Sequence, residues 1–322
     1  MQHQRLDKEK RKLSTEVTDL ILASWKLSTK KQYNTYLKQW EHFCVNRKVD
    51  PCSAAPSIAL EFLFELYDKG LGYSAINTAR SALSSVLPSD KRGIDFGTQK
   101  LVCQFMKGIF NRKPSLPRYV NIWDPDVVLK YLQNWSPRSF LSKRMLTTKL
   151  AMLLALFMVQ RVQTLHALRI DDISFTGDYV QIAVSSLLKT SRPNWHLEPI
   201  VFPKYDTCKS LCIYRYLRTY IARTRPYRNH EERLFISYRK PYKAVSKNTI
   251  SRWIRFVMAK AGIDVSQFKA HSTRAASASK LSKFASIDSI LKAGGWSSDS
   301  CFKKHYNLPS IQPLMHNVAA DK

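Results

Sequence analysis

The sequence predicts a mainly α-helical protein of two domains, with a small antiparallel sheet inserted in the second domain. Apolar residues recur at helical spacing through residues 15–111 and again after residue 123. The period changes to alternation at Tyr179–Val184, which is typical of a strand. Between the two helical regions, residues 111–118 (NRKPSLPR) hold two prolines and three basic residues, so we interpret this stretch as the connection between domains.

The composition indicates a folded protein with a polyanionic partner. The chain of 322 residues is 44% hydrophobic, which is enough for two cores, and its aromatic content of 11% argues against a disordered basic chain. Its formal charge is +28, from 52 Lys and Arg against 24 Asp and Glu. Because no uninterrupted apolar stretch approaches about 18 residues, we expect nucleic acid and no membrane as the partner.

Targeting and cysteine patterns favour an intracellular protein without a metal. The first residues, MQHQRLDKEKRK, contain no apolar region, so no secretory signal is expected. The six cysteines are scattered. Cys208 and Cys212 lie four apart on an expected helix without a matching histidine pair, which disfavours zinc. We therefore expect reduced thiols and no metal site.

The first domain is predicted to contain five helices after a flexible basic tail at residues 1–14. Ser28 is the expected N-cap of a helix that carries Trp40 and Phe43, and Ser74 is the expected N-cap of residues 75–86. The outward face of this last helix is small, polar and basic. A DNA groove and a merely solvated face account for it equally well.

The second domain is predicted to begin near Trp123, with Asp124 or Asp126 as a helix cap. A long helix should end around Val159 and be followed by a short one. Two strands, 179–184 and 196–202, should be joined by a turn at 185–194. The remaining predicted helices are 127–132, 210–224, 248–261 and those between Ala270 and Tyr306.

Several polar residues in this domain stand out, although each has an ordinary explanation. Arg161 follows an apolar helix, where either a bound anion or the dipole of the helix C-terminus accounts for it. Lys189 lies in the expected hairpin turn, where lysine is common. His271 and Arg274, in the motif HSTR, should share one helix face. Tyr306 is the only tyrosine after Tyr242, on a helix expected to begin near Ser298.

Taken together, these residues resemble the catalytic set of the tyrosine recombinases, the family typified by phage lambda integrase. The resemblance rests on the order and spacing of six residues and on their contexts, namely a helix-end arginine, a hairpin lysine, HxxR on a helix, a GGW turn and a late tyrosine. These six residues are Arg161, Lys189, His271, Arg274, Trp296 and Tyr306. The segments HSTRAASASK, AGGW and FKKHYN look most like those of the recombinases of the DIRS and Ngaro retrotransposons and of Cryptons.

The resemblance covers residues 123–306 in detail and the first domain only in outline. It implies a helical core-binding (SAM-like) domain at 15–111, a linker at 112–122 and a catalytic domain at 123–306, together forming a C-shaped clamp on DNA. A C-terminal tail at 307–322 would follow. Packing of this tail on a neighbouring protomer and packing on its own fold are both open.

The resemblance also implies a mechanism. Arg161 and Arg274 would clamp the phosphate, His271 would act as base, Lys189 would protonate the leaving 5′-oxygen, and Tyr306 would form a 3′-phosphotyrosyl link. Trp296 would donate its indole N–H or simply pack the core. Neither metal, cofactor nor ATP would be needed, and integration or excision of a mobile element is the expected outcome.

The implied partners are double-stranded DNA, a second protomer on each recombination site and four protomers in a synaptic complex. The nucleus is the expected location for a eukaryotic element, and the cytoplasm or nucleoid otherwise. Basic and polar residues of both domains are the expected DNA contacts, with the best groove candidate in the basic stretch that begins at Arg239. These residues are Lys30, Lys31, Asn77, Arg80, Arg112, Lys113, Arg239, Lys240, Lys243, Lys247 and Arg252.

One departure and two rivals qualify this interpretation. Many prokaryotic members carry an acidic residue three positions after the first arginine, where this chain has Thr164. A type IB topoisomerase shares the chemistry but would act as a monomer on supercoils, and the HxxR with its GGW turn favours a recombinase. A DNA-binding protein descended from a recombinase would have no need of Tyr306.

Overall fold

The computed structural model describes residues 14–135, 137, 139–189, 191–194, 196–296, 299, 302, 306 and 310–311. The chain divides into two compact units between Arg118 and Tyr119. The division falls inside the stretch expected to be a linker. That stretch is shorter than 112–122, because the last helix of the first unit includes Arg112 and the first strand of the second unit is Ile122–Trp123.

The described part of the first unit consists of five α-helices and one 3₁₀ turn at Phe96–Thr98. The number of helices agrees with the prediction. The helices are α1 (Thr15–Ala23), α2 (Leu27–Asn46), α3 (Pro56–Asp68), α4 (Tyr73–Ser84) and α5 (Lys100–Arg112).

Both predicted N-caps in this unit are wrong. Helix α2 is capped by Lys26 and α4 by Gly72, each with an extended backbone and without a side-chain hydrogen bond to the helix. Ser74 instead lies in the first turn of α4, where its carbonyl accepts a hydrogen bond from the Thr78 hydroxyl (2.9 Å). A serine near a helix start therefore did not mark the boundary here, because the backbone of the preceding residues decided it.

The core of the first unit is built on aromatic contacts between α2 and α3. The Trp40 ring lies 5.7 Å from Phe43 and 5.3 Å from Phe62, and the indole N–H of Trp40 donates to the Pro51 carbonyl (2.9 Å). Edge-to-face pairs of this kind add stability beyond the apolar area they bury. The loop after α2 is thereby fastened to the core.

The second unit contains the remaining helices and all the strands of the described residues. Its helices are α6 (Pro125–Gln133), α7 (Lys143–Phe157), α8 (Val162–Ala167), α9 (Ile213–Thr224), α10 (Lys247–Lys260), α11 (Ser272–Leu281) and α12 (Ile287–Gly294). Its strands are β1 (Ile122–Trp123), β2 (Ile173–Phe175), β3 (Tyr179–Ile182), β4 (Ile200–Pro203) and β5 (Ser310–Ile311). Asp124 caps α6 through its side chain, one of the two caps expected there.

Helix α7 is the centre of this unit. Its residues from Leu146 to Leu156 are buried without interruption, and α9, α10 and α11 pack around it. Because most of these residues are apolar and they cover every side of the helix, neighbouring elements must enclose it. Helix α11 also lies deep in the unit, with eight of its ten residues buried. Seven of those eight are Ser, Thr or Ala, whose small side chains let neighbouring elements approach closely.

Two contacts fasten the ends of α11 to the start of the unit. The buried indole N–H of Trp123 donates to the Ser272 hydroxyl (2.8 Å). At the other end, the Lys280 ammonium lies 2.6 Å from Asp126 and 3.5 Å from Asp124, and its hydrogen bond to Asp126 raises the pKa of Lys280. The helix that carries the HSTR motif is therefore held at both ends.

The antiparallel sheet has three strands in the order β2–β3–β4, with Val180 opposite both Phe175 and Phe202. The sequence predicted only two strands. Strand β2 has three half-buried or exposed residues, which is too short for alternation to be visible. The second predicted strand, 196–202, is also displaced, because β4 begins at Ile200.

A separate parallel pair joins β1 to β5, with Ile122 opposite Ser310 and Trp123 opposite Ile311. This pair was not predicted. It shows that the start of the expected tail pairs with its own chain. The rest of the tail lies outside the described residues, as do the basic residues 1–13.

The fold class is confirmed as mainly helical with a small antiparallel sheet in the second unit. Each described helix is too short or too polar to cross a lipid bilayer. The expectation that Cys208 and Cys212 share a helix is wrong, because Cys208 lies in a turn and Cys212 caps α9. Within the described residues, no three His, Cys, Asp or Glu side chains come together as metal ligands would.

Candidate active site

A small apolar cluster in the second unit brings together residues that are distant in the sequence. Its buried members are Val159, Ala278, Ile290, Trp296 and Phe302, and Tyr306 packs against them. The Trp296 ring lies 5.4 Å from Phe302 and 4.8 Å from Tyr306, both edge-to-face. Phe302 and Tyr306 thus pack in the same cluster. The cluster seats the Tyr306 ring against Trp296, two residues after the end of α12.

Arg274 is a charged residue of this site, yet it is completely buried, with 0% of its surface exposed to solvent. Its Nη2 donates to the Gly294 carbonyl (2.8 Å), and its guanidinium carbon lies 3.9 Å from the centre of the Trp296 ring. The hydrogen bond and the stacking together fix the plane of the guanidinium. A buried cation is costly to desolvate, and an anion bound beside it would offset that cost.

Tyr306 lies next to both Arg274 and His271. The Arg274 guanidinium carbon is 5.1 Å from the centre of the Tyr306 ring, and the His271 ring is 6.4 Å from it. Backbone contacts hold the tyrosine, since its N–H donates to the Phe302 carbonyl (2.8 Å) and its carbonyl accepts from the Ser279 hydroxyl. Ser298, the expected helix start, and His305 lie outside the described residues.

His271 and Arg274 meet Tyr306 by different means. His271 is the N-cap residue of α11 and is exposed, whereas Arg274 lies inside the first turn and is buried. The helix face that His271 and Arg274 were expected to share is therefore the N-terminal end of α11. This arrangement places one exposed imidazole and one fully buried guanidinium near the tyrosine.

The local setting of Arg161 differs from the prediction. Helix α7 ends at Phe157 instead of near Val159, and Arg161 is the half-buried N-cap residue of α8. A cation is disfavoured at a helix N-terminus, so Arg161 is not a C-terminal dipole partner. Its guanidinium forms neither a hydrogen bond nor an ion pair with any residue in the described part of the chain.

Lys189 lies, exposed, in the connection between β3 and β4. An ion pair between Lys292 and Glu198 (2.9 Å) ties this connection to α12. The contacts described above bring His271, Arg274, Trp296 and Tyr306 together, and Arg161 follows Val159, a member of the same cluster, by two residues in the chain. None of them joins Lys189 to that group.

Sequence reasoning missed the buried residue Gln160. Its Nε2 donates to the Ala293 carbonyl, and its Oε1 accepts from the Thr164 hydroxyl (3.2 Å). Thr164 therefore bonds a neighbour, as a threonine at that position could. A single glutamine beside an arginine carries no sequence signal, because its partner lies 133 residues further along the chain.

The sequence profile of the phage integrase family matches residues 124–311, more than half of the chain. The chain belongs to the phage integrase family. This is the family of the tyrosine recombinases, and membership supports an enzyme that cleaves and rejoins DNA. No curated protein sequence is significantly similar to the chain.

Solved structures of phage integrase relatives share the fold at low sequence identity. The Tn1549 transposon integrase in complex with transposon right end DNA has a TM-score of 0.59 at 15% identity, covering 88% of this chain and 90% of that one. A lambda integrase dimer bound to a COC′ core site has a TM-score of 0.53 at 18% identity, with coverages of 99% and 98%. The XerH site-specific recombinase bound to its difH substrate has a TM-score of 0.55 at 16% identity, with coverages of 78% and 67%.

The expected DNA contacts of the first unit fall into two groups. Lys31 and Arg112 are exposed, and Lys30 and Asn77 are half-buried. Two others are engaged within the unit itself. Arg80 Nη1 donates to the Gly97 carbonyl (2.9 Å), and Lys113 Nζ donates to the Gly70 carbonyl (2.7 Å). These two side chains therefore stabilise loops of this integrase-family protein.

In the second unit, the expected contacts lie on one ordered turn and on the helix after it. An antiparallel bridge pairs Ile236 with Ala244, and the Tyr242 N–H donates to the Arg239 carbonyl (3.0 Å). All five expected contacts are exposed, three of them in the turn and two on α10. We call these five the basic turn–helix surface: Arg239, Lys240, Lys243, Lys247 and Arg252.

Proposed function

We propose that this chain is a site-specific DNA recombinase that cuts and rejoins strands through a covalent link to Tyr306. The single observation that carries the proposal is the proximity of the Tyr306 ring to both the buried Arg274 guanidinium (5.1 Å) and the exposed His271 ring (6.4 Å). A tyrosine that needed only to pack would have no use for a buried cation and an imidazole beside it.

Attack on a phosphodiester places additional negative charge on its non-bridging oxygens. Arg274 and Arg161 are the two guanidiniums that would stabilise this charge, and the planar fork of arginine suits it. The indole Nε1 of Trp296 is buried and forms no hydrogen bond within the described part of the chain, so it would supply a further donor to the same oxygens.

Proton transfer would involve the two remaining residues. A tyrosine hydroxyl has an ordinary pKa of about 10, so it must lose a proton as it attacks, and His271 is the neighbouring group that would accept it. Lys189, an exposed residue of the connection between β3 and β4, would protonate the leaving 5′-oxygen. The phosphotyrosyl link conserves the energy of the broken bond, so rejoining would need no ATP.

The substrate would be duplex DNA, bound by the basic turn–helix surface and by exposed cations of the first unit. Two of the relatives named above are a transposon integrase on transposon-end DNA and an integrase dimer on a core site. By analogy, we propose two protomers on each site, four in a synaptic complex, and integration or excision of a mobile element as the role. The HSTRAASASK and AGGW motifs favour a eukaryotic element of the DIRS, Ngaro or Crypton type, acting in the nucleus.

The test uses nicked suicide DNA that carries candidate element ends, with the wild-type chain and Tyr306→Phe compared. The wild type should form a covalent protein–DNA adduct that resists denaturation, and Tyr306→Phe should form none while binding the same DNA. Absence of an adduct from the wild type on DNA that it binds would contradict an enzyme. Relaxation of supercoils without joining of two DNA molecules would identify a topoisomerase instead.

A further inference from the structure

The turn between α7 and α8 has an unusual backbone at Val159. This residue has φ of +53°, in the left-handed region that β-branched residues rarely adopt, and it is fully buried. Such a conformation persists only where its surroundings impose it. Here the surroundings are the apolar cluster of Trp296, Phe302 and Tyr306. The shape of the turn that precedes Arg161 is therefore set by packing against the tyrosine-bearing segment.

The next residue, Gln160, links this turn to two other elements. Only 5% of Gln160 is exposed. Its amide nitrogen donates to the Ala293 carbonyl in the last turn of α12, and its amide oxygen accepts from the Thr164 hydroxyl in α8 (3.2 Å). Both ends of one buried side chain are thus hydrogen-bonded, so its amide has a defined position and orientation.

Each of these bonds lies next to a bond that supports an arginine. The carbonyl after that of Ala293 belongs to Gly294 and accepts from Arg274 Nη2 (2.8 Å). The backbone N–H of Thr164 donates to the Arg161 carbonyl (2.8 Å). Gln160 therefore connects the end of α12, whose Gly294 carbonyl binds Arg274, to the first turn of α8, which bonds the Arg161 carbonyl.

We propose that Gln160 is a positioning residue. Together with Thr164, it fixes the turn that precedes Arg161 relative to the Gly294 carbonyl that holds Arg274. The proposal rests on the proposed function, because the two arginines are assigned to the same phosphate there. Gln160 does not itself reach the reacting atoms. Its effect is to set the separation of two guanidiniums that must reach one phosphate together, and a misplacement of about 1 Å can slow such a step by about 100-fold.

The test compares three variants by single-turnover adduct formation at saturating DNA and, separately, by DNA affinity. Gln160→Met has a similar length and loses both hydrogen bonds, and it should slow adduct formation by at least about 10-fold while DNA affinity stays within about twofold. Thr164→Val removes one of the two bonds and should slow it less. Thr148→Val is the matched control, because Thr148 is also a buried helical threonine but bonds carbonyls of its own helix, and it should keep the wild-type rate.

A double variant separates positioning from general loosening of the core. If Thr164 acts through Gln160, the variant with both Gln160→Met and Thr164→Val should be no slower than Gln160→Met alone. Rates should be compared well below each unfolding temperature. A lower unfolding temperature for Gln160→Met with an unchanged rate would overturn the proposal, and so would multiplication of the two single effects in the double variant.

Failure of the role proposed for Gln160 can be distinguished from failure of the proposed function. If the wild type forms no adduct, the assignment of the chemistry fails. If the wild type forms one and Gln160→Met forms it equally fast, only the role of Gln160 fails.

Discussion

Gly294 is the position where the smallest possible change should disturb the site most. It is the last residue of α12, and a methyl group added there would lie 1.7 Å from Cζ3 and 2.1 Å from Cε3 of Trp296. To restore even a tight 3.0 Å contact, the indole must move by about 1.3 Å, the difference between 3.0 Å and 1.7 Å. The ring that moves is the one on which Arg274 stacks and beside which Tyr306 lies.

The expected effect of Gly294→Ala on stability is small, because two contributions oppose each other. Alanine favours the helix by about 1 kcal/mol over glycine. Forcing a side chain into a filled space costs about 1–3 kcal/mol. The free energy of unfolding should therefore fall by no more than about 2 kcal/mol. Adduct formation should fall by about 100-fold, because Trp296 cannot move that far without shifting the Arg274 guanidinium, whose carbon lies 3.9 Å from its ring.

Gly108→Ala provides the matched control. Gly108 lies in the middle of α5, is exposed, and has nothing within 4 Å of an added methyl group. This variant should unfold with a free energy about 0.5–1 kcal/mol higher and form adduct at the wild-type rate. Urea unfolding and single-turnover adduct formation are measured for both variants. Wild-type adduct formation by Gly294→Ala would refute the inference that the position of Trp296 matters for the chemistry.

Three further predictions concern charged residues. Burial lowers the pKa of Lys149 to about 8. The folded state therefore binds fewer protons than the unfolded state between about pH 8 and 10.5. As a result, the wild-type free energy of unfolding should rise by up to about 3 kcal/mol across that window. Lys149→Met should lack this rise in urea titrations at pH 7 and pH 10, and an equal rise in both proteins would contradict the assignment. Arg161→Ala and Arg274→Ala should both abolish adduct formation with little loss of DNA affinity, yet only Arg274→Ala should markedly lower the unfolding temperature, because it leaves a cavity beside Trp296 in the core whereas Arg161 is half-exposed. DNA affinity should fall linearly with salt on a log–log plot, and Lys243→Gln should reduce that slope by about one; an unchanged slope would mean that Lys243 does not face DNA.

Much of the fold follows from local patterns in the sequence. Helices α2 to α5 and α7 were recognised because their apolar residues recur with the helical period over three turns or more. The boundaries were less accurate, since Ser28 and Ser74 were chosen as caps where Lys26 and Gly72 serve. Strand β2 and the β1–β5 pair were missed, because two or three residues cannot display a period.

The candidate site divides in the same way. The sequence by itself determined which residue types are present and in which order, and the order and spacing of Arg161, Lys189, the HSTR motif, Trp296 and Tyr306 together indicated the chemistry through a family resemblance. Only the tertiary structure decided how they are held. The left-handed backbone of Val159, the bond from Gln160 to Ala293 and the approach of Trp296 to Gly294 depend on contacts between residues up to 143 positions apart, such as Val159 and Phe302. Such contacts have no local signature, because packing density and hydrogen-bond satisfaction are properties of the folded chain and not of any short stretch of it.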